Sequence, residues 1–354
     1  MCVKCGDIGR WGILVAVLVG LMMASRTFAG EEGEGMKVTF SLDADSYALG
    51  QPVFFVVALQ NLGATPVRAH LPKDGWTDFE LEVAFKDGPY AKLDRQTVGR
   101  IRTRPRIREF KPGEVVGASD AVLLRGFRPP LRKAQEEKAD LAQWLALDRV
   151  GSYRMRATVR VDIGEEETNN VYFKSNEVSF RVTPAQKGFR EFLLFGVAHV
   201  RPEFQIFEEG YEAAKDVLNR LEGTPYQKYV KLMMMLHYIP KRMDPEEPPP
   251  ELSDEEKEER EVYKGLAEQI AADPHQRQTR MGEIALVYLL AYELNAQHPQ
   301  KALQYGAILQ DELPWSRNAG SAAIIREQIE NEPLPDERVE PRAEATPPPS
   351  DAGP

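Results

Sequence analysis

From residue 36 to residue 183 the chain alternates between apolar and polar positions in short runs. Lys37-Val-Thr-Phe-Ser-Leu-Asp43 puts Val38, Phe40 and Leu42 on one face of an extended strand, because successive side chains point to opposite sides. Asp78-Phe-Glu-Leu-Glu-Val-Ala-Phe85 repeats the alternation and runs into Asp87-Gly88, a hairpin signal. Tyr153 to Asp162 and Val178 to Val182 continue it. Pro52-Val-Phe-Phe-Val-Val-Ala-Leu59 differs: it is apolar at consecutive positions, as a strand covered on both faces should be. Turn signals at Leu62-Gly63, Lys73-Asp-Gly75 and Lys111-Pro-Gly113 separate the runs. Short strands at this spacing predict an antiparallel β-sandwich over residues 36–184. Within it, Pro129-Pro130 and the good helix formers from Leu131 to Leu145 predict a short inserted helix, with Leu131, Leu141, Trp144 and Leu145 toward the sandwich.

After Pro184 the period becomes helical, predicting an all-α domain over 187–332. Phe204–Leu221 and Tyr226–Ile239 have helical apolar spacing. A Pro-rich acidic break follows at 240–252. A helix restarts at Ser253, with Glu256 three residues on in the capping-box arrangement. Val262, Leu266 and Ile270 are expected on its apolar face. Further helices are predicted at 278–296, 299–312 and 316–330. The Pro-, Glu- and Ala-rich tail, 333–354, has too few apolar residues to offset the entropy of ordering and is expected to be disordered.

Two stretches resemble known families. Asp148-Arg-Val-Gly-Ser-Tyr153-Arg-Met155 resembles the strand-F signature of immunoglobulin-like domains, Asp then Gly-x-Tyr-x-Cys. The resemblance implies that Tyr153 is a tyrosine corner, its hydroxyl bonding back to the turn. Met155 stands where antibody domains carry a cysteine. Leu49-Gly-Gln-Pro-Val53, Asn61 to Val67, Gly151-Ser-Tyr153 and Ser175-Asn-Glu-Val178 are similar in layout to bacterial immunoglobulin-like and fibronectin-III-like modules, including the BsuPI-type proteinase-inhibitor fold. Residues 283–316 resemble one degenerate tetratricopeptide-type (TPR-like) repeat. Ala302, Leu309 and Pro314 stand at that family's small, apolar and terminal-proline positions, although its large early aromatic is missing. An ordinary antiparallel helical hairpin accounts for the same spacing.

The first thirty residues change the picture of compartment. A basic start is followed by about 14 apolar residues and then Thr27-Phe-Ala29. That predicts a secretory signal peptide, residues 1–29, cut after Ala29. The run is short of the roughly 20 residues of a spanning helix; an uncleaved anchor is the alternative. The chain is then expected to be exported, periplasmic or extracellular, with no membrane span after cleavage. Cutting removes Lys4, Arg10 and Arg26 against Asp7, so the mature chain is two units more negative than the −10 of the full sequence. That disfavours nucleic acid as a partner. Cys2 and Cys5 leave with the signal, and the sequence contains no other cysteine. A thiol-free exported chain must rely on apolar burial, for which it is long enough.

Catalytic signatures are scarce. His70, His199, His237, His275 and His298 are widely spaced, and there is no His-Glu-x-x-His, Gly-x-Ser-x-Gly, P-loop or calcium loop. No metal, cofactor or catalytic residue is expected. His237 reads as a core histidine or, less simply, a functional one. Met233-Met-Met235 reads as core filling, and the acidic run Asp254–Glu261 as a solvated helix face.

The arginines form the one marked pattern. Arg100, Arg102, Arg104, Arg106 and Arg108 recur at every second position, and Arg154, Arg156 and Arg160 share one face of a later strand. Pro105 argues for an edge strand or an extended loop. These eight residues are the candidate binding set: a basic outer face for an anionic polymer or an acidic partner segment. The alternative is cross-strand pairing with carboxylates such as Glu80 and Glu82.

The leading expectation is therefore a non-enzymatic exported protein that binds a protein or an anionic envelope polymer. Two other classes stay open. The BsuPI-type layout implies a proteinase inhibitor, with Pro72–Trp76 or Arg125–Pro130 as its exposed loop. A hydrolase could use a pair of carboxylates between the two domains.

Overall fold

The structure, a computed structural model, describes residues 35–71, 79–93, 106–123, 145–163, 170–200, 204–239 and 253–331. The predicted signal peptide, the helix over 131–144, both inhibitor loops, Arg100 to Arg104, the acidic break and the tail lie outside them.

The alternating runs pair into two sheets. The smaller has the order β1 (Met36–Leu42), β3 (Val53–Asn61), β8 (Val115–Val122), all antiparallel. The larger is ordered β2 (Ser46–Ala48), β11 (Val178–Thr183), β9 (Gly151–Ile163), β4 (Val67–Leu71), β7 (Arg106–Phe110). Strands β10 (Asn170–Lys174) and β5 (Phe79–Phe85) also pair with β9, and β6 (Ala91–Lys92) closes the hairpin predicted at Asp87-Gly88. Apolar residues of the two sheets meet in one core: Phe40, Phe55, Val57 and Leu59 face Leu81, Met155, Ala157, Val159, Phe173 and Phe180. Strands β2, β4, β8 and β10 were not anticipated. Strand β8 carries Gly, Ser and Asp, poor strand formers, and exists because β3 pairs with it from Val53↔Val122 to Gln60↔Val115.

Strand β9 explains the strand-F pattern. Tyr153, Met155, Ala157, Val159 and Val161 are buried, and the arginines between them face out. The Tyr153 hydroxyl donates to the carbonyl of Arg149 at 3.0 Å and accepts from its N–H at 3.0 Å. That double bond ties the turn to the strand, as the tyrosine corner does. Met155 is fully buried.

The helices are α1 (Phe189–His199), α2 (Tyr211–Arg220), α3 (Gln227–Tyr238), α4 (Asp254–Ala272), the short α5 (Pro274–Arg277), α6 (Arg280–Asn295), α7 (Pro299–Glu312) and α8 (Arg317–Asn331). The chain is thus β followed by α. The Ser253 capping box forms, with Glu256 N–H donating to Ser253 Oγ and Ser253 N–H to the Glu256 carboxylate. Helix α6 is apolar on nearly all sides and is buried accordingly, and α7 folds back on it.

Several helical expectations need correction. Helix α1 was missed, because Phe-Arg-Glu-Phe-Leu-Leu-Phe is apolar without a clean stripe. The helix expected from Phe204 starts only at Tyr211. Phe204 has φ 59°, outside helical space, and its ring stacks edge-on against Phe54 at 4.8 Å. The inward face of α4 carries Tyr263, Ala267 and Ile270, whereas Val262 is 58% exposed. His237 is exposed and stacks on Tyr211 at 4.3 Å rather than entering the core. In the acidic run, Arg260 is buried and Glu259 half-buried, so that face is only partly solvated. Met233, Met234 and Met235 are all fully buried.

The two-sided strand has a larger consequence. Residues Phe54, Val56 and Ala58 of β3 belong to the same apolar cluster as the helices, while Phe55, Val57 and Leu59 belong to the sandwich core. The smaller sheet is therefore the middle layer of three. Tyr226 reinforces the joint, donating to the carbonyl of Leu49 at 2.7 Å.

Candidate functional site

Since helices cover the smaller sheet, the outer face of the larger sheet is the β surface that no helix covers among the described residues. Its axis is β9, thirteen residues long, with Ser152, Arg154, Arg156, Thr158 and Arg160 along the outer row. Register brings Arg181 beside Ser152, Ser179 beside Arg154, Lys174 beside Thr158 and Tyr172 beside Arg160 on one flank. On the other flank stand Glu82 beside Arg156 and Glu80 beside Thr158. Arg160, Lys174 and Arg181 are exposed, and the Tyr172 ring is 64% exposed.

Arg154 and Arg156 are held in place. Arg154 Nε donates to the Lys86 carbonyl and its Nη2 to the Gly88 carbonyl, both at 3.3 Å, so it grips the β5–β6 turn. Its Nη1 lies 3.7 Å from Glu177. Arg156 Nε donates to Glu82 at 2.8 Å, and its guanidinium sits 4.0 Å over the Tyr90 ring. The Tyr90 hydroxyl donates to Glu177. Desolvation first, then that carboxylate, push the Tyr90 hydroxyl up to about 12. The cross-strand pairing expected with Glu82 is therefore present at Arg156, and Glu80 takes Lys92 instead, at 2.8 Å.

The two arginine series do not share a row. Register sets Arg108 opposite Ala69, and Ala69 opposite Ile163, the alternation of β9 that carries Met155 and Val159. Arg106 falls opposite Leu71 in that same alternation. Arg154, Arg156 and Arg160 belong to the other one. Tyr90, Glu177, Lys174 and Arg181 were missed in the sequence because only the register of β5, β10 and β11 on β9 brings them to this face.

The helical half holds a dense polar cluster of its own. Glu259 on α4 accepts from Tyr238 at 2.7 Å and Tyr211 at 2.9 Å, and pairs with Lys215 at 2.8 Å. Burial pushes the Glu259 carboxyl up, but Lys215 and the two hydroxyls outweigh it and hold it below its usual range. With Leu218, Lys231, Val262 and Tyr263, Glu259 also lines an open groove of about 240 Å³. Among the described residues, no group of three or more His, Cys, Asp or Glu could hold a metal ion, and no helix is long and apolar enough to cross a membrane.

No family model and no curated protein matches this chain. Among solved structures it is similar to Spo0M, the sporulation control protein of Bacillus subtilis, at 16% identity and a TM-score of 0.24, over 46% of this chain and 55% of that one. The chain thus spans about half the length of Spo0M. It is also similar to a CARDB domain from Pyrococcus furiosus, solved in complex with di-metal ions, at 15% identity and a TM-score of 0.21, over 45% of this chain and 99% of that one.

Proposed function

We propose that this chain is an exported, non-enzymatic binding protein whose larger sheet receives an extended anionic polymer or an acidic partner segment. The observation that carries the reading is the outer row of β9 and its flank. Arg160 and Lys174 stand exposed beside the Tyr172 ring, and Arg181 stands exposed at the other end of the same flank, beside Ser152, on a chain whose net charge is −10. A local cationic face on an acidic protein attracts anions at short range while the rest of the molecule repels them, which favours an ordered footprint over general adhesion. Arg154 and Arg156 are supporting residues in this scheme: their bonds to the β5–β6 turn and Glu82 tie that hairpin to β9.

Export rests on the signal-like first 29 residues. The tyrosine corner supports reading the sandwich as immunoglobulin-like, in the manner of BsuPI-type modules. The burial of Ala302 and Leu309 between α6 and α7 supports reading that hairpin as TPR-like.

Retention of the mature chain on a polyphosphate matrix tests the binding role. Binding that falls steeply with salt, and is lost in an Arg160→Glu, Arg181→Glu double variant with unchanged circular dichroism, is the expected result. Equal retention of the variant, or none by the wild type at low salt, would overturn it.

A further inference from the structure

Among the described residues, Arg260 on α4 is an unusual charge. Its side chain is 5% exposed, and Nε and Nη2 have no hydrogen-bond partner among the described residues. These two nitrogens form one edge of the guanidinium, the edge that offers two parallel N–H donors to a carboxylate or phosphate. A buried guanidinium left without an anion is strongly unfavourable, so an orphaned donor edge calls for an occupant.

Neighbouring carboxylates do not fill it. Glu259 is committed to Lys215, Tyr211 and Tyr238. Glu293 is taken by His298 at 2.9 Å and Lys264 at 3.5 Å, and Glu261 by the Tyr292 hydroxyl. What surrounds Arg260 is aromatic. The rings of Tyr238 and Tyr292 lie 5.7 and 5.5 Å from its guanidinium carbon. Tyr288, fully buried beneath, donates to the Arg260 carbonyl at 2.9 Å and fixes the turn that aims the side chain. One turn along α4, Lys264 adds a second positive charge, 4.5 Å from the Tyr292 ring.

We propose that Arg260 is the floor of a small-oxyanion site between α3, α4 and α6. It takes one phosphate or carboxylate group side-on through Nε and Nη2, with Lys264 contributing longer-range attraction. Tyr238 and Tyr292, both half-buried, are the side chains that turn aside to admit it. This site is separate from the β9 face, and its fate does not depend on the reading of that face.

Titration of the full chain with inorganic phosphate, and in a second arm with acetate, followed by tyrosine fluorescence against a chloride control of equal ionic strength, tests it. Saturable binding of at least one anion is expected, and the arm that saturates identifies the oxyanion. Arg260→Lys keeps the charge but loses the two-donor edge and should weaken binding at least tenfold. Lys264→Gln, compared with the wild type only where the circular dichroism is unchanged, should weaken it several-fold. The proposal is overturned if neither anion saturates the wild type. It is equally overturned if binding is unchanged in both variants, or survives only in proportion to ionic strength.

Discussion

Ser119 Oγ, on a strand of the middle sheet, donates to Glu283 Oε2, on the central helix, at 2.6 Å. Glu283 is almost wholly buried and is the meeting point of three elements. The same oxygen accepts from Arg280 at 2.6 Å, and the other accepts from Ser316 and from Asn318 Nδ2 at 2.9 Å. Burial pushes its carboxyl up, yet Arg280, Ser119 and Ser316 together hold it below its usual range.

Replacing this carboxylate should therefore loosen the joint between sheet and helices. In Glu283→Gln an amide NH₂ faces donors whichever way it is turned, and Arg280 loses its partner. Breaking a buried pair of this kind costs about 3–5 kcal/mol. Urea unfolding should show that loss. A change below about 1 kcal/mol would mean that the network contributes no net stability.

Gly117 gives a purely steric test of the same joint. A Cβ there would lie 2.6 Å from the carbonyl oxygen of Val57 and 2.8 Å from Trp315 Cβ. The first contact is to paired backbone and cannot relax cheaply. Gly117→Ala is expected to destabilise by about 1–3 kcal/mol, read as a lower melting temperature. An unchanged melting temperature would contradict this packing.

Asp43 should make stability depend on pH in an unusual direction. Its Oδ1 accepts from Tyr47 Oη at 2.6 Å and Phe54 N–H at 3.2 Å. Desolvation outweighs those bonds and Lys228, raising the carboxyl to about 6 from 3.8. Between those values the folded state binds more protons than the unfolded one, so Asp43 lowers stability as pH rises through the window. The full effect, on the order of 2–3 kcal/mol, stands above pH 6. Asp43→Asn keeps the Oδ1 acceptor and removes the ionisation. It should be more stable than wild type at pH 7 and equal to it near pH 4. Parallel stability curves for the two proteins would refute the shift.

Tyr153→Phe removes both hydrogen bonds to Arg149 while keeping the ring stacked on Phe180 at 5.5 Å. The expected cost is about 1–2 kcal/mol, with amide exchange quickened around residues 148–151. Unaltered exchange there would show that the hydroxyl does not hold the turn.

How far these features could be read in advance depends on the range of the interactions behind them. Local patterns were legible: the Ser253 cap, the Met233–Met235 core and the alternation of β9 each follow from spacing within a few residues. The run 52–59 disclosed a strand buried on both sides but not what lay on each. Strand β8 and helix α1 escaped because pairing and packing, not their own composition, create them.

By itself the sequence determined the order of β and helical halves and the faces that must be buried, because periodicity is a property of neighbouring residues. Tertiary structure decided that helices cover the middle sheet, that Arg106 and Arg108 alternate out of step with Arg154, Arg156 and Arg160, and that Glu259 and Arg260 turn inward from a solvated run. Those outcomes come from register and layer packing between residues far apart in the chain, and no local spacing encodes them.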